Sequence, residues 1–186
     1  MFVGDGKGAD ALKAFWRRLK RSRAKGETVA IDMSPAYISA IQMNLPKVVL
    51  VFDHFHTHKL LNDKLSDLRR KLYRKATEQL HKDVLKGTRW LLLKKPENLD
   101  PTRGEAKRLH EALTLNQPLV TAYCMTEDLR LVWEQPSHTA AQRVLDEWIR
   151  RAERSGIYML IGFAHTPATH HSGILNYCRY PHFSGW

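Results

Sequence analysis

Hydrophobic residues follow two kinds of pattern along this chain. Early on there are two short unbroken apolar runs, Val29-Ala30-Ile31 and Val48 to Phe52, each ended by an aspartate, Asp32 and Asp53. Runs rich in β-branched residues and lacking polar alternation predict strands buried on both faces. Between them, Ser34-Pro35 precedes Ala36 to Asn44, with Tyr37, Ala40 and Ile41 at helical spacing. Ser34 is placed to cap that helix, and Pro35 suits its first position. The predicted unit is strand, acid, helix, strand, acid: a right-handed parallel βαβ element. Ligands of such sheets bind beyond the carboxyl ends of the strands, so both aspartates are expected on one shared edge.

Elsewhere the helical period dominates. Ala9 to Lys25 predicts an amphipathic helix with Leu12, Phe15, Trp16 and Leu19 as its apolar stripe, ended by Gly26. From His58 to about His81, Leu61, Leu65, Leu68 and Leu72 form a second seam. Thr88 to Leu93 is a short apolar run, strand or buried helical turn, and Pro96 to Pro101 is a loop with turn residues. Gly104 to Leu115 predicts a helix with Leu109, Ala112 and Leu113 inward. Gln117-Pro118 starts another that runs to Met125, and Thr126 is placed to cap a third through Trp133. Ser137 or Thr139 caps the next, in which Ala141, Val144, Leu145, Trp148, Ile149 and Ala152 share a face, and Gly156 stops it. Trp133 and Trp148 fit these stripes and are expected in the core. Ile157 to Ala164 is apolar and is broken by Thr166-Pro167, and Gly173 to Tyr180 is a last short helix or strand. The glycine-rich Val3 to Gly8 lacks the Gly-Lys-Ser/Thr ending of a phosphate loop and reads as a turn between a strand and a helix.

Charge adds a partner to this picture. The 186 residues carry 30 Lys and Arg against 19 Asp and Glu, a net charge of +11, while 43% hydrophobic content is ordinary for a globular domain. Between Lys59 and Lys95 there are twelve basic and four acidic residues, an excess of eight that supplies most of the net charge. That balance points to a polyanion, most simply nucleic acid. The exposed positions expected to meet DNA phosphates are Arg17 and Arg18 on the first helix and Lys59, Lys64, Arg69, Arg70 and Arg74 on the long one. On the first helix the same residues equally describe a solvated back, whereas the basic stretch from Lys59 is better evidence for nucleic acid than scattered charge. No base-reading motif accompanies them, and phosphate contacts position without specifying sequence. The two cysteines, Cys124 and Cys178, form no C-x-x-C and are expected as small buried thiols in a reducing cytoplasm. No apolar run reaches membrane-spanning length and no signal peptide opens the chain, so no membrane partner is expected.

Two carboxylates at adjacent strand ends repel unless a cation lies between them. Mg²⁺ takes one or two carboxylates plus substrate phosphate oxygens, which makes Asp32 and Asp53 candidate metal ligands. Each is equally an N-cap of the helix after its strand. The second strand end continues His54-Phe55-His56-Thr57-His58. His56 lies three residues after Asp53 and returns to its face on a first helical turn. His54-x-His56 after a strand also resembles the metal-binding start of amidohydrolases, although a barrel of that class takes about 250 residues. His165, His170 and His171 lack zincin spacing and read as surface or loop residues.

The stretch IDMSPAYISAIQMNLPK followed by VVLVFDHFHTHKLLNDKLSDLRR closely resembles the catalytic core of DDE transposases of bacterial insertion sequences. The resemblance is to the branch with a D-x-x-H motif and a helical insertion before the catalytic glutamate. It continues through WLLLKKPENLD and LNQPLVTAY to GILNYCRYPHFSGW. It implies a helix-rich α/β fold: a partial RNase H-like core with a few strands over residues 1–58, a large all-α insertion over 59–165, and a return to the core over 166–186. It implies that Asp32 stands at the second acid of the triad, with Asp53 the alternative, and that Asp53 and His56 stand at the D-x-x-H pair. In the intact family the acids bind Mg²⁺ or Mn²⁺, and the partners are transposon ends, target DNA and further transposase. The family's first aspartate falls upstream of Val3 and its glutamate beyond Tyr180-Pro181, so the resemblance implies a core cut at both ends and inactive alone. A non-catalytic DNA-binding remnant that interferes with an intact transposase is the alternative.

Overall fold

The structure is a computed structural model that describes residues 12–22 and 26–180. The glycine-rich segment at 3–8, the expected helix start at Ala9, Arg23 and Lys25, and the tail from Pro181 lie outside those residues. The elements in order are α1 (Lys13–Ser22), β1 (Thr28–Ile31), α2 (Pro35–Asn44), β2 (Val49–Phe52), α3 (His54–Lys75), α4 (Gln79–Gly87), α5 (Glu105–Thr114), α6 (Gln117–Arg130), α7 (His138–Arg154), α8 (Tyr158–Thr169) and α9 (His171–Asn176). The fold is a helix-rich α/β one. It divides into two compact units, residues 1–56 with 170–186 and residues 57–169.

In the first unit β1 and β2 pair in parallel, with Thr28 opposite Val49 and Ile31 opposite Phe52. The connection runs through α2, which has Pro35 in its first turn and buries Ala40 and Ile41. The strands are not buried on both faces as their composition predicts. Val51 and Phe52 are buried, but Thr28, Val29 and Ile31 are half-buried and Ala30 is exposed. The reason is coverage: α9 packs on β2, whereas among the described residues the extensive contacts of β1 are with β2. Gly173 of α9 lies directly against the Phe52 ring. His170 meets the ring edge-on, with centroids 5.0 Å apart. Asn176 Nδ2 donates to the Leu50 carbonyl at 2.9 Å. In a parallel ladder alternate residues point their peptide groups to opposite edges. Val49 and Asp53 donate toward β1, to Glu27 and Ile31. The Leu50 carbonyl therefore faces the other edge, and Asn176 caps it there.

In the second unit, Leu65 of α3 packs with Leu85, Leu91, Leu92, Leu109, Leu119, Ala122 and Tyr123. The expected seam holds, with Leu61 and Leu65 fully buried. The long helix begins earlier and ends earlier than its pattern predicts, and a separate α4 follows the break at Ala76 to Glu78. Thr88 to Leu93 resolves as a 3-10 turn over Leu91–Leu93. Thr126 caps nothing: it is buried within a continuous α6, and its hydroxyl donates to the Ala122 carbonyl at 2.9 Å. A threonine can satisfy itself in this way inside a helix, which is why its capping preference misleads. Ser137 does cap α7, accepting from the Ala140 N–H at 3.2 Å. Ala141, Leu145, Trp148 and Ala152 are the buried stripe of α7, and Trp148 Nε1 donates to the Met125 carbonyl at 2.6 Å. Gly156, at φ +69°, reverses the chain in a conformation that side chains resist. Pro167 does not break α8 but lies buried in its last turn, where the helix goes without the bond an N–H there would make to the Phe163 carbonyl. Cys124 is exposed rather than buried, on the outer face of α6, and Cys178 is half-buried. No helix among the described residues is long and apolar enough to cross a membrane.

Candidate functional site

The two strand-end aspartates emerge from neighbouring positions. Ile31 and Phe52 are the last ladder partners, so Asp32 and Asp53 each stand one residue beyond a paired residue on the carboxyl edge. The Asp53 N–H still donates to the Ile31 carbonyl at 3.1 Å, which ties the two strand ends together. Adjacent strands lie about 4.8 Å apart, so the backbones carrying the carboxylates are close. Asp32 is half-buried and Asp53 exposed.

Each carboxylate also has a local structural bond. Asp32 Oδ1 accepts from the Ser34 N–H at 3.1 Å. Asp53 Oδ1 accepts from the Phe55 N–H at 2.9 Å, at the start of α3. Ser34 makes no side-chain cap bond; the carboxylate two residues before it supplies the acceptor at that helix start.

The imidazole beside Asp53 is that of His54, whose Nδ1 lies 3.7 Å from Asp53 Oδ1. His54 packs against Phe55 and Tyr177, with centroids 4.1 and 5.2 Å away. Burial holds its pKa below the usual value, against the opposing pull of Asp53. The residue that spacing marks is His56. His56 is half-buried on the first turn of α3, and no hydrogen bond or ion pair joins it to Asp53 among the described residues. His58 stacks near Trp133, 4.8 Å between centroids. His165 is exposed on α8, while His170 is half-buried against Phe52, where burial lowers its pKa.

Asp32 and Asp53 have the donor chemistry of a hard cation site, because Mg²⁺ needs only one or two carboxylates when phosphate oxygens complete its shell. Among the described residues no group of three or more His, Cys, Asp or Glu is placed to hold a metal by itself. A self-sufficient zinc centre of the amidohydrolase kind is therefore not assembled there.

The candidate DNA contacts are not alike. Arg17 and Arg18 are exposed on α1, and Lys59, Lys64 and Arg74 are exposed on α3. Arg70 is exposed too and ion-paired with Asp67. Arg69 turns inward: its Nη1 donates to the Leu85 carbonyl at 2.9 Å, clamping α3 to the end of α4. Its pKa is lowered by burial and by the neighbouring Arg89 and Arg70.

The comparisons name the class. A transposase family model of the ISL3 DDE type matches residues 1–186, and the chain belongs to that family. The transposase for insertion sequence element IS1001 of Bordetella parapertussis is 34% identical over 187 residues, covering 97% of this chain. The chain spans 45% of that relative's length. No solved structure matches.

The sequence did not reveal the role of the last helix. Gly173, Asn176 and His170 support β2 from more than a hundred positions away, and the one available hint was a glycine inside a helical pattern.

Proposed function

We propose that this chain is part of the catalytic domain of an insertion-sequence transposase, acting on DNA in the bacterial cytoplasm. Asp32 and Asp53 would hold a divalent ion, Mg²⁺ or Mn²⁺, against a phosphodiester. The observation that carries this reading is the Ile31–Phe52 register, which brings the two acids to one edge in a member of this family. A bound ion would supply positive charge to the phosphate undergoing attack. The protein's own share is positioning. Backbone bonds fix one oxygen of each carboxylate. His54 lies beside Asp53, and burial lowers its pKa against the carboxylate's opposing pull. Exposed cations on α1 and α3 would hold the DNA backbone. DNA strand cleavage and transfer are proposed for the complete enzyme, with transposon ends, target DNA and further transposase as partners.

The test is Mn²⁺ binding to the purified chain with duplex DNA, read by electron paramagnetic resonance. Asp32→Asn and Asp53→Asn should each weaken bound-metal signal at unchanged circular dichroism. Equal signals in all three proteins would overturn the metal assignment. Nicking by this chain alone is not expected. Reproducible Asp32-dependent cleavage would reverse that expectation.

The Oδ1 bonds of both aspartates favour a second reading, a DNA-binding piece in which the acids only start helices. It predicts that Asp32→Ala and Asp53→Ala lose stability, that the two Asp→Asn variants, which keep the acceptor oxygen, stay close to the unaltered chain, and that metal and DNA binding are the same in all of them.

A further inference from the structure

We infer that the groove between α3 and α8 around Tyr158 binds an unpaired nucleotide of DNA. Tyr158 opens α8 just after the left-handed Gly156, and this turn presents its ring to solvent at 82% exposure. Lys71 Nζ lies 5.8 Å from the ring centre. The groove, about 250 Å³, is lined by Lys64, Leu68, Lys71, Tyr158 and Met159 among others. Asp67 lines it too, but its carboxylate is hydrogen-bonded by Arg70. That bond holds its pKa low and uses its charge locally. The groove is left with two lysines, an apolar floor and one open aromatic face.

Those three features select a ligand class. The lysines suit a phosphodiester. A tyrosine face stacks on any base, without sequence preference. A paired base inside a duplex has both faces covered by its neighbours, so only an unpaired base can lie on this ring. The inference rests on the DNA reading of the preceding section and adds the state of the DNA that this unit prefers.

The experiment compares two DNAs by fluorescence anisotropy: a fully paired duplex, and the same duplex with an unpaired overhang carrying 2-aminopurine. The unaltered chain should bind the overhang DNA more tightly and quench the 2-aminopurine. Tyr158→Ala should lose about tenfold on that DNA, equivalent to ~1.4 kcal/mol, and nothing on the duplex. Tyr158→Phe should keep both affinity and quenching, because stacking needs the ring and not the hydroxyl. Lys71→Ala should weaken both complexes and flatten their salt dependence. If the chain binds neither DNA, this inference and the DNA reading both fall. If it binds both and Tyr158→Ala changes neither or weakens both equally, only this inference falls. Loss in Tyr158→Phe equal to that in Tyr158→Ala would also overturn it.

Discussion

Replacing Gly173 by alanine tests how the last helix secures the strand that delivers Asp53. A methyl group built at Gly173 overlaps Cδ2 and Cε2 of Phe52 and comes within 3.1 Å of Cγ. Non-bonded carbons prefer about 3.5–4.0 Å, so the ring must move. It has little room: Phe52 is 4% exposed and its ring is bounded by His170 at 5.0 Å. Forcing an extra methyl into a packed site costs about 1–3 kcal/mol. Against this, alanine is favoured over glycine inside a helix by about 1 kcal/mol. The blocked ring puts the clash at the upper end of its range, leaving a net loss of about 1–2 kcal/mol for the first unit. Native-state hydrogen exchange at the β2 and α9 amides reads this locally, which matters where two units can open separately. A Phe52→Val background removes the clash, and Gly173→Ala should then be neutral or stabilising. If Gly173→Ala alone slows exchange in β2, the close packing of α9 on Phe52 is wrong.

Further outcomes follow from particular contacts. Burial lowers the pKa of His54 and His170 below the usual 6.5. Below that pH the unfolded chain takes up protons that the folded unit does not, so stability should fall as pH drops through 6.5, and denaturant midpoints measured across that range should show the slope flattened in His170→Asn. Trp148→Phe removes the indole bond to the Met125 carbonyl, which keeps its helical partner within α6, and should destabilise the second unit by about 0.5–1.5 kcal/mol in thermal melts. Ser137→Ala should cost about 1 kcal/mol through loss of the α7 cap, detectable in the same melts. Arg74→Ala should lower the salt slope of DNA binding by about 1 at little cost in stability, whereas Arg69→Ala should lower the melting temperature, since Arg69 is bound to Leu85.

The sequence by itself determined the local elements wherever burial and period agreed. The runs ending at Asp32 and Asp53 predicted the two parallel strands, and the stripe from Ala141 to Ala152 predicted α7 with Trp148 inside. It also carried the family, through the resemblance of residues 31–70 to the catalytic core of known transposases. Tertiary structure alone decided what covers each element. Composition could not show that β1 stays half-exposed while β2 is covered, because coverage depends on α9, which folds back from far along the chain. Nor could spacing show that His54 lies beside Asp53. That outcome turns on where α3 begins and on the Phe55 and Tyr177 rings that hold His54 in place. The inward turn of Arg69 and the open ring of Tyr158 are likewise settled by neighbours distant in sequence, since a side chain's surroundings are fixed only when separate helices pack.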